Sequence, residues 1–589
     1  MIFATLLHVL LLFDGADKKM QWVLKEIDEK LLEALVEQID ATPSFARLLL
    51  GRGLSERATI DSFLNPRLNS LSDPFLLPDM QRAVDRIWRA IDAEESIMIF
   101  GDYDVDGVTS TALLTRLLSE LGAQVSSFIP DRMSEGYGFS QAAFKRSQEQ
   151  ADFSLLITVD CGINSVETVA YAQANGVDVI VTDHHEPDLQ IATPIALVNP
   201  KLGQDAVLEQ LAGVGVAFKL AHALVKQGLL DKRAVAKTVE LRDYLDLVAL
   251  GTVGDLVPLL DENRVFVRHG LARCNTTRWE GLTALKKVSK LKDNLTSYHL
   301  GFQLAPRINA AGRVGKPLQA LALLTTDQPD LAKQLAQVLD EKNQQRRRIE
   351  QEITDLVLQE VSSSFDFQKD RGLVVFGADW HPGVVGIVAS RVARFFHRPT
   401  VVLTSIEKEG VIRGSCRGIP GFDLLLALKR CEAHLKQFGG HKMAAGLELN
   451  PDSLESFKKE FDRAANEQLS DSDLDPILHI DTLIHPNEIN DTFFESVCRL
   501  RPFGPKNHEP VFLLENAQIT GDVQCVGKKH LKFSVSAGGE VFAAIAFNFE
   551  RNRLPSGFLD FVFKLQENRW RECRTLQLNI LDVRLHQNT

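Results

Sequence analysis

Between Ser96 and about Asn199, short apolar runs alternate with amphipathic stretches. The runs are Ile97–Phe100, Val125–Ile129, Leu155–Val159, Val177–Val181 and Ile195–Val198, bounded by polar residues or glycine. Stretches between them, such as Thr109–Leu121 and Val166–Asn175, carry helical periodicity. Strands alternating with helices predict βαβ units and a parallel sheet covered on both faces. Such sheets bind ligands off the carboxyl ends of their strands.

From Ala206 to about Leu260 the pattern is helical, and Asp327–Val361 reads as a long charged helix joining two domains. A second α/β pattern runs from about Gly372 to Leu449, and a polar helical stretch then ends in the acidic SDSDLD. From about Pro476 to Asp582, short alternating runs separated by turn signals predict a small β-barrel. The expected division is an extension over 1–19, a helical lead-in over 20–75 and an α/β unit over 76–325. A connecting helix (326–362), a second α/β unit (363–470) and the barrel (471–589) follow.

Composition narrows the class. The chain has 589 residues, 45% hydrophobic and 24% charged, which fits a globular protein with more than one core. The net charge is −12, so a nucleic-acid ligand requires a local basic groove. Seven scattered cysteines without a CxxC pair point to reduced thiols in the cytoplasm, not to disulfides or a zinc site. Met1–Phe13 is almost wholly apolar. As a helix it spans roughly 20 Å, short of the roughly 30 Å of a bilayer core, and it lacks signal-peptide flanks. It reads as an extension upstream of a start at or near Met20, with a membrane or partner-binding segment as the alternative; for the protein as a whole no membrane association is expected.

Chemistry gathers where the predicted strands end. After Ile97–Phe100 comes GDYDVDG, with Asp102, Asp104 and Asp106. Asp160 follows Leu155–Val159, Thr182-Asp183-His184-His185-Glu186 follows Val177–Val181, and Asp255 closes the apolar stretch GTVGD. Strands read this way deliver carboxylates and a histidine pair to one sheet edge. A single Asp after a strand is ordinarily a helix N-cap, but several together repel and resist burial unless cations neutralise them. A calcium loop is excluded, because its required glutamate position falls on Leu113. Carboxylates with imidazole suit Mn²⁺ or Mg²⁺, and a pair of such ions suits phosphodiester hydrolysis.

DYDVDG, TVDCG, the Asp-His-His of TDHHEP, and GTVGD resemble, in order, the four metal-site motifs of the DHH phosphoesterase superfamily. The resemblance implies that Asp104, Asp106, Asp160, His184 and Asp255 hold two Mn²⁺ or Mg²⁺ ions. It makes His185 a further ligand or phosphate contact and places Asp102 in support. Some members carry a histidine four residues before the Asp104 position, where this chain has Phe100.

PDRMSEGYG (Pro130–Gly138) and PRINAAGRVG (Pro306–Gly315) resemble segments of the RecJ-type exonucleases within that superfamily. Each reads as a glycine-containing loop presenting arginine to DNA phosphate: Arg132 in the first, Arg307 and Arg313 with Asn309 in the second. Tyr137 reads as a base-stacking residue. HPGVVGIVASRVA, GSCRG and QFGGHKMAAG resemble the DHH-associated domain, which implies nucleic-acid contacts at Ser390, Arg391, Arg417 and His441. The C-terminal region resembles the RecJ OB-fold, with Lys528, Lys529, Lys532 and Phe547 as strand contacts. The family commonly has Gly where Lys506 stands and Pro where His508 stands.

The resemblance implies a mixed α/β chain with a parallel-sheet DHH catalytic domain, a connecting helix, a DHH-associated domain and an OB barrel. It implies a cytoplasmic, monomeric, metal-dependent 5′-3′ exodeoxyribonuclease. Such an enzyme releases 5′-mononucleotides from single-stranded DNA in recombination and repair, beside a single-strand-binding protein and a RecQ-type helicase. The competing reading is a DHH phosphodiesterase for short oligonucleotides or cyclic dinucleotides, whose chains are usually shorter and lack the barrel.

Overall fold

The computed structural model describes residues 20–131, 138–292, 294–406, 410–527, 530–570 and 573–587. Its first sheet comprises β1 (Ser96–Gly101), β2 (Gln124–Phe128), β3 (Leu155–Val159), β4 (Asp178–Thr182) and β5 (Ala196–Val198). All pairings are parallel, in the order β2-β1-β3-β4-β5. Side chains alternate across it. Ile97, Ile99, Leu155, Ile157 and Val159 enter one core, while Met98, Phe100 and Leu156 enter another on the opposite face. Burial on both faces is why the strands read as unbroken apolar runs. Each fully buried Leu, Ile or Phe contributes up to about 1.5–3 kcal/mol.

Helices α1 (Val105–Glu120), α2 (Gly213–Leu230) and α3 (Leu245–Gly254) complete the larger core. After a π-helical turn at Leu300–Leu304 comes α4 (Ala305–Val314). The long α5 (Pro329–Ser364) buries Ala332, Ala336 and Leu339 in that core, and Ile353, Val357 and Val361 in the next. One helix contributing to two cores makes a stiff joint.

The second sheet comprises β6 (Leu373–Gly377), β7 (Thr400–Ile406), β8 (Val411–Arg417), β9 (Gln437–Gly440) and β10 (Ala444–Leu449). Its order is β9-β10-β8-β7-β6, and β6–β7 is its parallel pair. Between β6 and β7 in the chain, α6 (Pro382–Phe396) packs Val384, Val388 and Val392 against this sheet and α5.

The C-terminal unit starts with β11 (Thr482–Leu483) and continues with β12 (Phe512–Val526), β13 (His530–Ala537), β14 (Glu540–Phe547), β15 (Leu559–Trp570) and β16 (Cys573–Leu585). The order β12-β13-β14-β16-β15 closes through β12–β15 pairing, so the expected barrel is present. Its core holds Phe512, Phe533, Phe561 and Phe563 together with Leu32, Leu35, Phe45 and Leu49 from the N-terminal helices. The stretch expected as one lead-in is therefore divided. Its helices up to Leu64 belong to the barrel core, while Leu68, Leu71 and Phe75 lie against the larger core of the first unit.

Arg264 locks the barrel to the first unit. Its guanidinium is buried and donates to the carbonyls of Phe63, Leu500 and Arg501 at 2.7, 3.0 and 2.9 Å. Leu259 N–H donates to Pro505 O at 3.0 Å beside it. The loop containing Lys506 is thus a domain junction. Lys506 stands at φ 60°, a left-handed conformation that glycine adopts at lower cost.

Candidate metal centre and nucleic-acid contacts

Asp104 is the N-cap of α1, and its Oδ1 accepts from Asp106 N–H at 2.9 Å and Gly107 N–H at 3.1 Å. A side chain at Gly107 would meet Asp102 O at 2.4 Å, so only glycine lets α1 start this close to the strand end. Asp106, fully buried in the first turn, accepts from the N–H groups of Gly213 and Val214 at 2.7 and 2.9 Å. Its charge therefore sits at the positive N-terminus of α2. A Cβ on Gly213 would lie 2.8 Å from Asp160 Oδ1 and 3.0 Å from Asp106 Oδ2, so this glycine clears the space between the two carboxylates. Asp160 follows β3 at φ 60°, a costly conformation of the kind concentrated at functional sites.

His184 Nε2 stands 3.1 Å from Asp160 Oδ1, 3.8 Å from Asp106 Oδ2 and 3.7 Å from Asp255 Oδ2. Among the described residues, three sets of ligand atoms each gather within 4.8 Å: Asp160, His184 and His185; Asp106, His184 and Asp255; and Asp102, Asp104 and Asp160. The structure thus brings all six expected metal residues together and adds Asp102, which the motif reading had placed in a supporting role. Asp183 is a further addition. Its buried carboxylate meets His185 Nδ1 at 2.7 Å and accepts from Ile163 N–H at 3.0 Å. The signal was present as the first residue of the Asp-His-His triplet.

Asp255 reaches the rim from a helix, in keeping with the helical pattern read from Ala206 to about Leu260 and not with delivery from a strand end. It caps the C-terminal end of α3, not a strand. All but the last position of α3 are buried, so its sequence shows no helical face and reads as an apolar run. Phe100 is fully buried and packs on Phe128 and Phe139, with ring centroids 5.4 and 4.9 Å away. It belongs to the core on the other sheet face, while His184 and Asp255 stand with Asp106 at the rim.

The electrostatics show what this crowding costs. Burial, then Asp104, pushes Asp106 up to about 7. Burial and four neighbouring carboxylates, Asp106 first, push Asp160 well above its ordinary value. Burial, then Asp106 and Asp104, takes Asp255 up to about 9. Burial, then His185, pushes His184 down to about 4, leaving a neutral imidazole suited to a cation. For His185, burial lowers the pKa, but the hydrogen bond and charge of Asp183 outweigh it and raise it to about 9. Among the described residues, the ion-pair partners of Asp106, Asp160 and Asp255 are His184 and His185. Asp160 Oδ1 and His184 Nε2 are buried without a hydrogen-bond partner. Buried polar atoms rarely go unsatisfied, and oxygen and imidazole donors orphaned side by side fit a divalent cation.

Several expected DNA contacts are otherwise engaged. Arg307 and Arg313 lie on α4, not in a loop, because the segment carries Pro at its start, alanines within and Gly315 at its end. Arg307 pairs with Asp340 of α5 at 2.8 Å and donates to Gln303 O. Asn309 Oδ1 accepts from Val105 N–H at 2.7 Å and braces the start of α1. Arg313 donates to Gly383 O at 3.2 Å, joining α4 to α6. Arg391 is about half exposed and lies 3.4 Å from Glu350. Arg417 Nε donates to Ser390 Oγ at 2.8 Å, which places those two residues together, and His441 is exposed beside β9. In the barrel Lys532 and Phe547 are exposed. Residues 1–19, Arg132, Tyr137, Lys528 and Lys529 lie outside the described residues. No described helix is long and apolar enough to cross a membrane.

A parallel sheet whose rim gathers acidic and imidazole ligands defines a metal-dependent phosphoesterase of the DHH class. Family models agree: the DHH family N-terminal domain matches residues 96–252, the DHHA1 domain 369–467 and the RecJ OB domain 480–582. The single-stranded-DNA-specific exonuclease RecJ of Bacillus subtilis is 38% identical over 573 residues, covering 96% of this chain and 71% of that protein. Its counterpart in Haemophilus influenzae is 34% identical, covering 91% and 95%. The crystal structure of RecJ from Thermus thermophilus in complex with Mn²⁺ superposes with a TM-score of 0.83 at 28% identity, covering 97% of this chain and 81% of that one. The chain belongs to the RecJ family of single-stranded-DNA-specific exonucleases.

Proposed function

We propose that this chain is a single-strand-specific exodeoxyribonuclease that works from the 5′ end with two divalent cations, Mn²⁺ or Mg²⁺. The observation that carries the reading is the convergence of four strand and helix ends on one rim, where Asp160 Oδ1 and His184 Nε2 are orphaned. Asp106, His184 and Asp255 would hold one ion, and Asp102, Asp104 and Asp160 the other. When bound, the ions activate water near neutral pH and offset charge on the entering and leaving oxygens.

The chain's own residues prepare that site. The N–H groups of Gly213 and Val214 hold Asp106 ionisable in a dry place, and Asp183 fixes the ring of His185. His185 Nε2 is assigned to the cation or to phosphate. The Ser390–Arg417 pair and exposed His441 are the DNA contacts of the second unit, and the barrel grips the incoming strand. The barrel, and relatives that share it, favour long single strands over the dinucleotide reading. The enzyme acts as a cytoplasmic monomer in recombination and repair, beside a single-strand-binding protein and a RecQ-type helicase.

Digestion of 5′- and 3′-labelled single strands tests this. With Mn²⁺ or Mg²⁺ the 5′ label should leave first as a mononucleotide, and chelator should stop the reaction. Early release of the 3′ label, or a preference for dinucleotides, would overturn the proposal.

A further inference from the structure

We propose that Tyr298 and Phe302 form a base-stacking platform that seats the DNA strand between the barrel junction and the metal rim. The proposal rests on the exonuclease reading. Both rings are largely in solvent, 59% and 62% exposed. They stack on each other with centroids 4.9 Å apart and planes at 28°. Two large aromatic side chains held in order but left uncovered invite a flat partner.

Their place in the fold says which partner. Phe302 lies in the π-helical turn Leu300–Leu304, a local irregularity common at functional sites. The neighbouring Gly301 packs on α3: a Cβ there would lie 3.3 Å from Val253 Cγ1, and Val253 is two residues from Asp255. The turn continues into α4, where Ala305 Cβ approaches Gly254, the residue before Asp255, to 3.4 Å of its would-be Cβ. On the other side, Ser297 Oγ donates to Phe503 O of the barrel junction at 2.5 Å. The segment that carries the two rings therefore runs between the end of α3, where Asp255 stands, and the junction.

Leu256 adds an independent sign. It directly follows Asp255, adopts φ 64° and is 67% exposed. A branched apolar residue pays for left-handed backbone and gains no burial here, so its exposure calls for a ligand. The reaction's substrate has bases to stack on the two rings and to pack on Leu256, and aromatic stacking accepts any base, which suits an enzyme that must pass every sequence.

Abasic scanning combined with substitution tests the platform. A single abasic position is moved stepwise from the 5′ end of an oligonucleotide. In the wild type one or two positions should raise KM about tenfold, with kcat unmoved. In Phe302→Ala and Tyr298→Ala, KM for intact DNA should rise by a similar factor, and the abasic penalty at those positions should vanish because both changes remove one contact. Phe302→Trp should keep both wild-type properties. Melting temperature and kcat at saturating strand should be unchanged throughout. Penalties that simply multiply, or KM values equal to wild type, overturn the platform and leave the rings to a protein partner. If Phe302→Ala does not fold, Phe302→Leu decides by the same comparison. A wild type that leaves single strands intact defeats the exonuclease reading instead.

Discussion

The acidic rim and the arginines of α4 use polar groups in opposite ways. On the rim, carboxylates and a histidine face one another with atoms left unpaired, and their protonation is driven far from ordinary values. On α4, Arg307 closes its bonds on Asp340 and Gln303, and Asn309 closes on Val105. Both groups lie in motifs whose sequences resemble those of the family. The difference teaches that such residues do different work: the buried atoms left unpaired on the rim await a ligand, while Arg307 and Asn309 already hold the scaffold together.

Asp160→Ala gives the largest effect and could break the comparison. Hydrolysis should fall by at least about 10³-fold, on the order of 4 kcal/mol. The chelated variant should melt higher than chelated wild type, because a buried carboxyl of raised pKa is gone. Near-normal turnover of a labelled strand would contradict the assignment. Asp183→Asn should lower cation affinity or turnover about 10–100-fold, because His185 loses the partner that orients it.

Arg307→Ala sharpens the other side. It should lower the unfolding free energy by about 2 kcal/mol, read from the urea midpoint, with KM for single strands unchanged. A raised KM with unaltered stability would return Arg307 to DNA binding. Arg391→Ala should change stability by less than about 0.5 kcal/mol, since Arg391 is half exposed and Glu350 keeps its closer partner Arg346. If Arg391 meets phosphate, the salt slope of DNA binding should fall by about one.

The catalytic rim was legible because its residues fall in short linear motifs, most of them at the ends of strands whose apolar runs are unmistakable, with Asp255 at the end of a helix. The barrel's strand content was legible from alternation and turns. What the sequence hid were partnerships across long separations. Asp340 answers Arg307 from another helix, and Arg264 holds residues near 500 by their backbone carbonyls, which no side-chain pattern reveals. The N-terminal helices sharing the barrel core are the same case. Phe100 was misleading in isolation, and strand alternation, which sends it to the face opposite Ile99, resolves it.

Calorimetric titration of Mn²⁺ into metal-free protein tests the central claim most directly. Folding raises Asp106 to about 7 and Asp255 to about 9, so the folded, cation-free protein holds protons that an unfolded chain has released. Its stability should therefore fall as pH rises from about 4 toward those values, and cations must displace the protons to bind. The account predicts two ions per chain, net proton release at pH 7 and affinity that climbs between pH 6 and 9. No binding, a single ion, or affinity indifferent to pH would contradict it.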